Sequence, residues 1–339
     1  MNHFSIVTVV RNDLAGLQKS RNSLEEQKYE NWTHIIVDGA SSDGSLEYLK
    51  SLPKENTIYI SEPDSGIYDA MNKGWKMANP DSFVFYLNAR DVFTDPSSLQ
   101  NANLALSSST TSNWGCTTHE EIDQNGEGWV CKLVSPPSVS NQLYAFGYRS
   151  HQAVLMKAAF ISSLGGFDET YKIAADWDLI VRALRVESPI IWSHPLGKFE
   201  LGGASSISLL EAHLELMKLR KKYLSNSLAS RLFEQIWCAI YLRDFGYQNY
   251  LSKILNLIYP TFKINQKKKV IGKRKVMLLI QRRRHYSGKY PMLGKLFHLY
   301  FNVIYFIITY IWKVVAAVRI KFISMLHHVL HINAYDLNV

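Results

Sequence analysis

The chain has 339 residues, of which 47% are hydrophobic and only ten are proline, so it is globular, with room for one large α/β domain plus an appendage or for two smaller domains. Its three cysteines form neither a CxxC pair nor an even set, which argues against a disulfide framework and a structural zinc site and fits a reducing compartment. The net charge of +9 is unevenly divided: residues 245–335 hold sixteen Lys and Arg and no acid, whereas residues 1–244 sum to about −6, so we expect the two parts to have different partners.

The first predicted element is a strand close to the N-terminus. Charged residues appear too early for a signal peptide, so we expect the first domain to stay in the cytosol. Phe4–Val10 is a continuous apolar run, which is typical of a strand buried on both faces. Either Asn12 or Asp13 then caps a helix that carries leucines along one face.

Strands and helices continue to alternate up to about residue 90. Strands are predicted at His34–Val37, Thr57–Ile60 and Ser82–Leu87, and a helix at Ile67–Ala78. Repeated βαβ units predict an α/β fold, with a mostly parallel sheet and helices on both faces. Ligands of such sheets bind at the carboxyl ends of the strands. Polar clusters follow three of the predicted strands, namely Arg11-Asn12, Asp38–Gly44 and Asn88–Asp91.

The remaining sequence divides into three parts by composition. Ser107–Ser140, rich in Ser, Thr and Gly, predicts a loop with a hairpin, and helical periodicity returns at Asp176–Val186 and Leu209–Tyr223. We therefore predict a first domain at residues 1–225, a helical linker at 226–262 and a basic, aromatic tail at 263–339.

Two common nucleotide-binding motifs are missing from the sequence. No GxGxxG follows the first strand and no GxxxxGK[ST] occurs anywhere, so a dinucleotide oxidoreductase and a P-loop NTPase lose their main support. The polar clusters are instead acidic or amide groups. Such groups suit a base, a ribose and a metal-bridged diphosphate better than bare phosphate.

Several ordered motifs resemble one enzyme family. The runs IVTVVRND, IIVDGASSDGSLEYL, SEPDSGIYDAMNKGWKMA, FYLNARDVF, HQAVLMKAAF, GGFDETYKIAADWDLIVRAL and FELGGAS are similar, in this order, to the inverting family-two glycosyltransferases with a GT-A fold. The similarity covers roughly residues 4–206 and is greatest to the branch that builds bacterial exopolysaccharide, colanic-acid and O-antigen repeat units. The resemblance implies transfer of a hexose or N-acetylhexosamine from a nucleoside diphosphate sugar.

The resemblance places donor-binding residues at the ends of the first two strands. It implies that Asp38 accepts hydrogen bonds from the nucleotide base or ribose, and that Thr8 and Asn12 also lie at the donor. An Asx turn is the alternative role of Asp38. Asp43 is expected to turn the chain and cap a helix. Many relatives carry a second acid where this chain has Gly39.

Asn88–Asp91 stands where the family has its acidic metal-binding motif. The resemblance implies that Asp91 binds Mg²⁺ or Mn²⁺, which bridges the donor phosphates. Asn88 offers only an amide oxygen, so either metal affinity is weak or Arg90 contacts the phosphate and partly replaces the cation. The alternative role of Asp91 is to cap the helix near Asp95–Leu106.

The segment Ser65–Gly74 resembles the part of the family that runs beneath the donor. It implies donor contacts for Tyr68, Asp69, Asn72 and Lys73. Helical spacing puts the last three on one face, where Lys73 is able to pair with phosphate. In the alternative, Asp69 and Lys73 form an ordinary surface ion pair.

Asp176 is the predicted catalytic base. Inverting transfer needs one group to take the proton of the acceptor hydroxyl, and Ala175-Asp176 aligns with the family's Glu-Asp motif while lacking its Glu. Asp178 is the competing carboxylate, and both acids also favour a helix start. Trp177 is either a core residue or a platform for an acceptor sugar.

His151 and Gln152 match an HQ pair of the family and are predicted to contact donor or acceptor. Phe199–Ser205 is expected to form a flexible loop over the nucleotide.

The tail predicts membrane association. Lys263–Lys289 contains eleven Lys and Arg residues. Leu296–Trp312 contains seven aromatic residues and no Asp, Glu, Lys or Arg. This pattern favours a helix in the interface of an anionic membrane over nucleic-acid binding or packing on a partner protein. We expect a peripheral or monotopic enzyme on the cytoplasmic face of the inner membrane, acting on a lipid-linked saccharide. A non-catalytic nucleotide-sugar-binding homologue is the rival that Asn88 and Arg90 leave open.

Overall fold

The computed structural model describes residues 1–109, 111–122, 128–131, 137–143, 150–200 and 209–224. Residues Met1–Tyr223 form one compact unit. The predicted linker at 226–262 and tail at 263–339 lie outside the described residues. Within the described ranges, no helix has the length and apolarity needed to cross a bilayer.

The described strands and helices are numbered here in chain order. The strands are β1 Phe4–Val10, β2 Trp32–Asp38, β3 Thr57–Ser61, β4 Phe83–Tyr86, β5 Val92–Phe93, β6 Trp114–Cys116, β7 His119–Ile122, β8 Gly128–Cys131, β9 Val154–Lys157, β10 Ile190–Ile191 and β11 Gly197–Glu200. The helices are α1 Leu14–Glu25, α2 Ser45–Ser51, α3 Ile67–Lys76, α4 Ser98–Leu106, α5 Val139–Leu143, α6 Ala158–Ser163, α7 Ala175–Val186 and α8 Leu209–Tyr223, with a 3₁₀ turn at His151–Ala153.

Seven of the described strands form the main sheet, in the order β10-β6-β9-β4-β1-β2-β3. Strands β1 to β4 run parallel, and β9 is antiparallel to both β4 and β6. The register pairs Val10 with Asp38 and Asp38 with Ser61, so the carboxyl ends of β1, β2 and β3 lie side by side. A second sheet has the order β5-β11-β7-β8. The predicted mixed, mostly parallel α/β architecture is confirmed.

Successive side chains of β1 point to opposite faces of the sheet, and helices pack on both faces. Phe4 and Ile6 pack with Leu24 of α1 in one buried cluster. Val7 faces the other way and contacts α3 at Gly74, where a Cβ atom would collide with the Val7 side chain. Glycine at this position therefore lets α3 lie directly on the sheet.

The structure resolves two open points of the sequence. Asp13 caps α1, because its Oδ1 atom accepts a hydrogen bond of 3.2 Å from the backbone N–H of Gly16, and Asn12 has a different role. The predicted hairpin is the antiparallel pair β7–β8. Strand β6 lies in the same stretch but joins the main sheet, which its Ser- and Thr-rich surroundings did not predict.

Candidate functional site

Three strand ends carry strained backbone at one edge of the sheet. Asn12, Ala40 and Arg90 follow β1, β2 and β4 and have positive φ angles of 51°, 56° and 78°. Non-glycine residues rarely adopt this conformation, and it persists only where the surroundings enforce it. The side chain of Asn12 supplies part of that constraint, because its Oδ1 atom accepts a hydrogen bond of 2.9 Å from the Ser42 N–H and so ties the first loop to the second.

Asp38 ends β2 and is fully buried. Its Oδ2 atom accepts hydrogen bonds from the Ser41 N–H at 3.1 Å and the Ser61 hydroxyl at 2.6 Å. Its Oδ1 atom is buried and has no hydrogen-bond partner among the described residues. One oxygen therefore performs the turn role that the sequence allowed, while the other is a buried acceptor that still needs a hydrogen-bond partner.

Asp64 is a second carboxylate at this edge, and it was not among the predicted site residues. Its Oδ1 atom accepts a hydrogen bond of 3.1 Å from the Gly66 N–H. Its Oδ2 atom occupies the space that a Cβ atom on Gly39 would need, with the Arg11 stem on the other side. An acid that follows β3 thus fills the place of a side chain at position 39.

Thr8 contributes to the floor of this edge and not to its surface, contrary to the prediction of a donor contact. It is fully buried, and its hydroxyl donates to the Leu87 carbonyl at 2.7 Å. The hydroxyl therefore accepts from His34 Nε2 at 2.9 Å, and His34 Nδ1 accepts from Arg21 at 3.1 Å. Burial, aided by the Arg21 charge, lowers the pKa of His34 to about 3. The neutral ring thus completes a buried relay of hydrogen bonds that runs from Arg21 in α1 to the Leu87 carbonyl after β4.

Asn88, directly after Leu87, reaches the predicted base through His151. Its amide nitrogen lies 3.1 Å from His151 Nε2, and since an amide N–H₂ only donates, Nε2 accepts. The ring proton is then on Nδ1, which lies 3.3 Å from Asp176 Oδ2. The Asn88 Oδ1 atom is buried without a hydrogen bond to the described residues.

Asp176 lies in the first turn of α7 and is 6% exposed. Its Oδ1 atom accepts a hydrogen bond of 2.9 Å from the Trp177 N–H and lies 3.4 Å from the Tyr68 hydroxyl. That hydroxyl donates to the Ile173 carbonyl at 2.6 Å. Burial and the nearby Asp176 charge raise the pKa of Tyr68 well above its usual value, so the phenol stays protonated. A small, largely apolar cavity borders the Asp176 and His151 side chains.

Asp91 connects to the same network through Gln152. The Gln152 Nε2 atom lies 3.5 Å from Asp91 Oδ2, so the consecutive residues His151 and Gln152 approach Asp176 and Asp91 respectively. Burial raises the pKa of Asp91 to about 7. The alternative role as a helix cap is wrong, because α4 starts at Ser98 and is preceded by Asp95, which accepts the Ser97 N–H at 2.7 Å.

The residues present fit a hard divalent cation in part. Asp91 and Asn88 lie in one turn, where the Asp91 N–H donates to the Asn88 carbonyl at 2.9 Å, and both offer oxygen atoms. The buried Asn88 Oδ1 atom and the desolvated Asp91 carboxylate would both gain from a cation. In the described part of the chain, no three His, Cys, Asp or Glu side chains group as metal ligands. Remaining ligands would come from a diphosphate and water.

Three predicted donor contacts are occupied by other parts of the protein. Asn72 makes four hydrogen bonds, to the N–H and carbonyl of Phe167, to Glu169 and to Trp75. Lys73 binds the Pro63 carbonyl at 2.9 Å and pairs with Glu62 at 2.9 Å and Asp69 at 3.4 Å. Asp69 also accepts the Ser65 N–H at 2.9 Å. These side chains fix the entry to α3, and the contacts of Lys73 agree with the ion-pair alternative, while the donor roles of Asn72 and Lys73 stay predictions.

Arg90 is likewise directed away from a phosphate. Its guanidinium forms a bidentate pair with Asp13, at 2.6 and 3.0 Å, and its hydrogen bond holds the pKa of Asp13 below the usual value. The predicted contact between Arg90 and the donor phosphate is therefore not prepared in this structure. The pair instead fastens the turn after β4 to the start of α1.

Asp178 is excluded as the base by its own contacts. It is fully buried, and its two oxygens bind Arg182 at 2.7 Å, Lys222 at 3.0 Å and the Tyr223 hydroxyl at 2.7 Å. Trp177 is 7% exposed, which favours its core role over a sugar platform. The loop predicted at Phe199–Ser205 lies largely outside the described residues.

The chain is similar in sequence to known glycosyltransferases. Residues 5–148 match the family model Glycosyl transferase family 2. The chain is 31% identical over 207 residues to an uncharacterized glycosyltransferase of Mycobacterium tuberculosis, covering 60% of this chain and 76% of that protein. It is 24% identical over 197 residues to a PGL/p-HBAD biosynthesis glycosyltransferase of Mycobacterium bovis, covering 53% and 68%.

The fold is also similar to solved structures. S. aureus TarS 1–349 in complex with UDP superposes with a TM-score of 0.54 at 17% identity, over 77% of this chain and 76% of that one. The same protein in complex with UDP-GlcNAc gives a TM-score of 0.53 at 14% identity, over 84% and 81%. At these identities the similarity concerns the fold, and it confirms the GT-A-like architecture expected from the sequence.

Proposed function

Because this chain belongs to glycosyl transferase family 2, we propose that it transfers a hexose or N-acetylhexosamine from a nucleoside diphosphate sugar to a saccharide acceptor, with inversion at the anomeric carbon. One observation carries the proposal. The Asp176 carboxylate, at the start of α7, is joined through His151 to Asn88, in the turn that also holds Asp91. A candidate base and a candidate diphosphate site therefore share one hydrogen-bonded network.

In the proposed reaction, Asp176 is the general base. The acceptor oxygen forms a bond to the anomeric carbon, the bond from that carbon to the phosphate oxygen breaks, and the hydroxyl proton moves to Asp176. His151 donates from Nδ1 towards Asp176 Oδ2, which orients the carboxylate. A carboxylate held in a preset orientation loses little entropy when the acceptor binds.

The donor would lie along the strand ends. The free Oδ1 atom of Asp38 would accept an N–H or O–H of the base or ribose, with Asn12 holding the neighbouring loops. Asp91 and Asn88 would hold a Mg²⁺ or Mn²⁺ ion, which supplies charge stabilisation to the departing nucleoside diphosphate. Gln152 would orient Asp91 from the side of the base.

The acceptor and the location of the enzyme form a further part of the proposal. We propose a lipid-linked saccharide in cell-surface polysaccharide biosynthesis, at the cytoplasmic face of the inner membrane. The support is sequence composition alone: eleven Lys and Arg in residues 263–289 are followed by an aromatic, uncharged run at 296–312. Flotation of the full chain with anionic vesicles, compared with retention on DNA, tests membrane against nucleic-acid binding.

A ligand panel tests the catalytic proposal. UDP-, GDP- and dTDP-linked sugars, each with and without Mn²⁺, should include one that raises the melting temperature, because a ligand of the folded state stabilises it. That donor should then be consumed by the wild type and not by Asp176→Asn. No thermal shift with any donor would contradict nucleotide-sugar binding. Binding without turnover in the wild type would favour the non-catalytic homologue.

A further inference from the structure

Glu215, on α8, binds three consecutive backbone N–H groups. Its Oε1 atom accepts from Lys172 at 2.8 Å, and its Oε2 atom accepts from Ile173 and Ala174 at 2.9 Å each. The residue is 8% exposed. Successive N–H groups that point to one place form an anion-binding concavity, which this chain fills with its own carboxylate.

The three N–H groups belong to the segment that leads into the base. Ala174 immediately precedes α7, and Asp176 is the second residue of that helix. On the opposite side of the same segment, the Ile173 carbonyl accepts the Tyr68 hydroxyl at 2.6 Å, and this hydroxyl lies 3.4 Å from Asp176. Residues 172–174 are thus held through their N–H groups by Glu215 and through a carbonyl by Tyr68.

We propose that Glu215 is a positioning residue for Asp176, acting across more than forty residues of sequence to fix the peptide segment that aims the base at the acceptor hydroxyl. The inference rests on the proposed function. Its physical basis is that a carboxylate bonded to three N–H groups defines the position of those peptides better than water would. Rotation of the segment would move the Asp176 carboxylate away from His151, and small displacements of a catalytic group greatly reduce rate.

A purely structural role for Glu215 predicts something different. Helix α8 has a second anchor, because Lys222 and Tyr223 bind Asp178 at 3.0 and 2.7 Å. Tyr223→Phe loosens α8 at that anchor but leaves the Glu215 contacts to residues 172–174 in place. If Glu215 only holds α8, both variants should affect activity alike.

The experiment compares kcat and the donor KM of the full chain, with the donor that gives the largest thermal shift. Release of nucleoside diphosphate by attack of water serves as the assay, since the base then takes the proton of water. Glu215→Gln places an N–H₂ group against backbone N–H groups, so kcat should fall at least tenfold while KM changes less than twofold. Tyr223→Phe should keep kcat within twofold. Both are assayed well below their melting temperatures.

A second variant and a control make the outcomes distinct. Tyr68→Phe removes both the hydrogen bond to Ile173 and the contact with Asp176, so it should also lower kcat, and an unchanged kcat would overturn the role of the segment even if Glu215→Gln fails to fold. If Glu215→Gln keeps kcat within twofold, or Tyr223→Phe loses as much as Glu215→Gln, the positioning role is overturned while an inactive Asp176→Asn leaves the proposed function intact. If Asp176→Asn stays fully active, the proposed base is wrong and the inference fails with it.

Discussion

The Nδ1 atom of His151 lies 3.3 Å from the Oδ2 atom of Asp176, with Nε2 of the same ring hydrogen-bonded to Asn88. Removing the ring should leave the base present but unoriented. We expect His151→Ala to lower kcat by about 10- to 100-fold, which is below the full effect of a general base of about 100- to 10,000-fold. Steady-state kinetics measures this loss. His194→Ala is the matched control, because His194 pairs with Asp95 and should leave kcat unchanged.

Gly39→Ala should weaken nucleotide binding. The backbone at this position has ordinary φ, so the added methyl group acts by collision, chiefly with the Asp64 carboxylate and less severely with the Arg11 side chain. We expect the Kd of the preferred nucleoside diphosphate to rise at least about fivefold, roughly 1 kcal/mol, measured by calorimetry. Gly128→Ala adds a methyl with only ordinary contacts and serves as the control. Equal affinity in both variants would show that Asp64 does not contribute to binding.

Asp91→Asn tests whether Asp91 binds the divalent cation. The neutral amide removes the only carboxylate of the turn after β4, so Mn²⁺ should no longer increase the thermal shift produced by the donor. In the wild type, chelation with EDTA should reduce the shift to the level of the variant. A Mn²⁺-dependent shift that persists in Asp91→Asn would place the cation elsewhere.

Lys73→Met tests whether Lys73 binds the donor or stabilises α3. Because the ammonium group is engaged by Pro63, Glu62 and Asp69, its loss should lower the melting temperature by a few degrees. The donor KM should change less than twofold. A large rise in KM with unchanged stability would restore Lys73 to the donor site.

Acid should destabilise the fold through His34. Its folded pKa of about 3 lies below the unfolded value of 6.5, so the neutral ring stabilises the protein fully above pH 6.5, and this contribution is lost as pH falls towards 3. Between pH 7 and pH 5 the expected loss in unfolding free energy is about 2 kcal/mol. His34→Gln keeps an acceptor for Arg21 and a donor for Thr8 without titrating. Urea unfolding of the variant should therefore show a smaller difference between the two pH values.

Most strands and helices of the fold could be predicted from the local pattern of apolar residues in the sequence. Phe4–Val10 is an uninterrupted apolar run and forms β1 with the predicted bounds, and the helical period of Leu209–Tyr223 gives α8. Asp38 follows a strand that is recognisable by composition, so its place at the carboxyl edge follows from the parallel order. Such features depend on neighbours within one element.

Contacts between residues that are distant in sequence could not be predicted. Asn72 is satisfied by Phe167, and Arg90 by Asp13, contacts that no spacing within their own motifs reveals. Asp64 and Glu215 were missed for the same reason. Each contacts a segment that only the folded chain brings near, Gly39 for Asp64 and residues 172–174 for Glu215, and the pattern of its own motif does not reveal that contact. The tail, predicted from composition, remains a prediction.

The relay from Arg21 through His34 and Thr8 to the Leu87 carbonyl has a consequence for redesign. Each member donates to the next, so replacing one by an apolar residue strands its neighbour in the interior, and the relay must be kept or exchanged as a unit. A designer who seeks a new donor preference should graft loops onto this rigid base and leave the four linked groups beneath them unchanged.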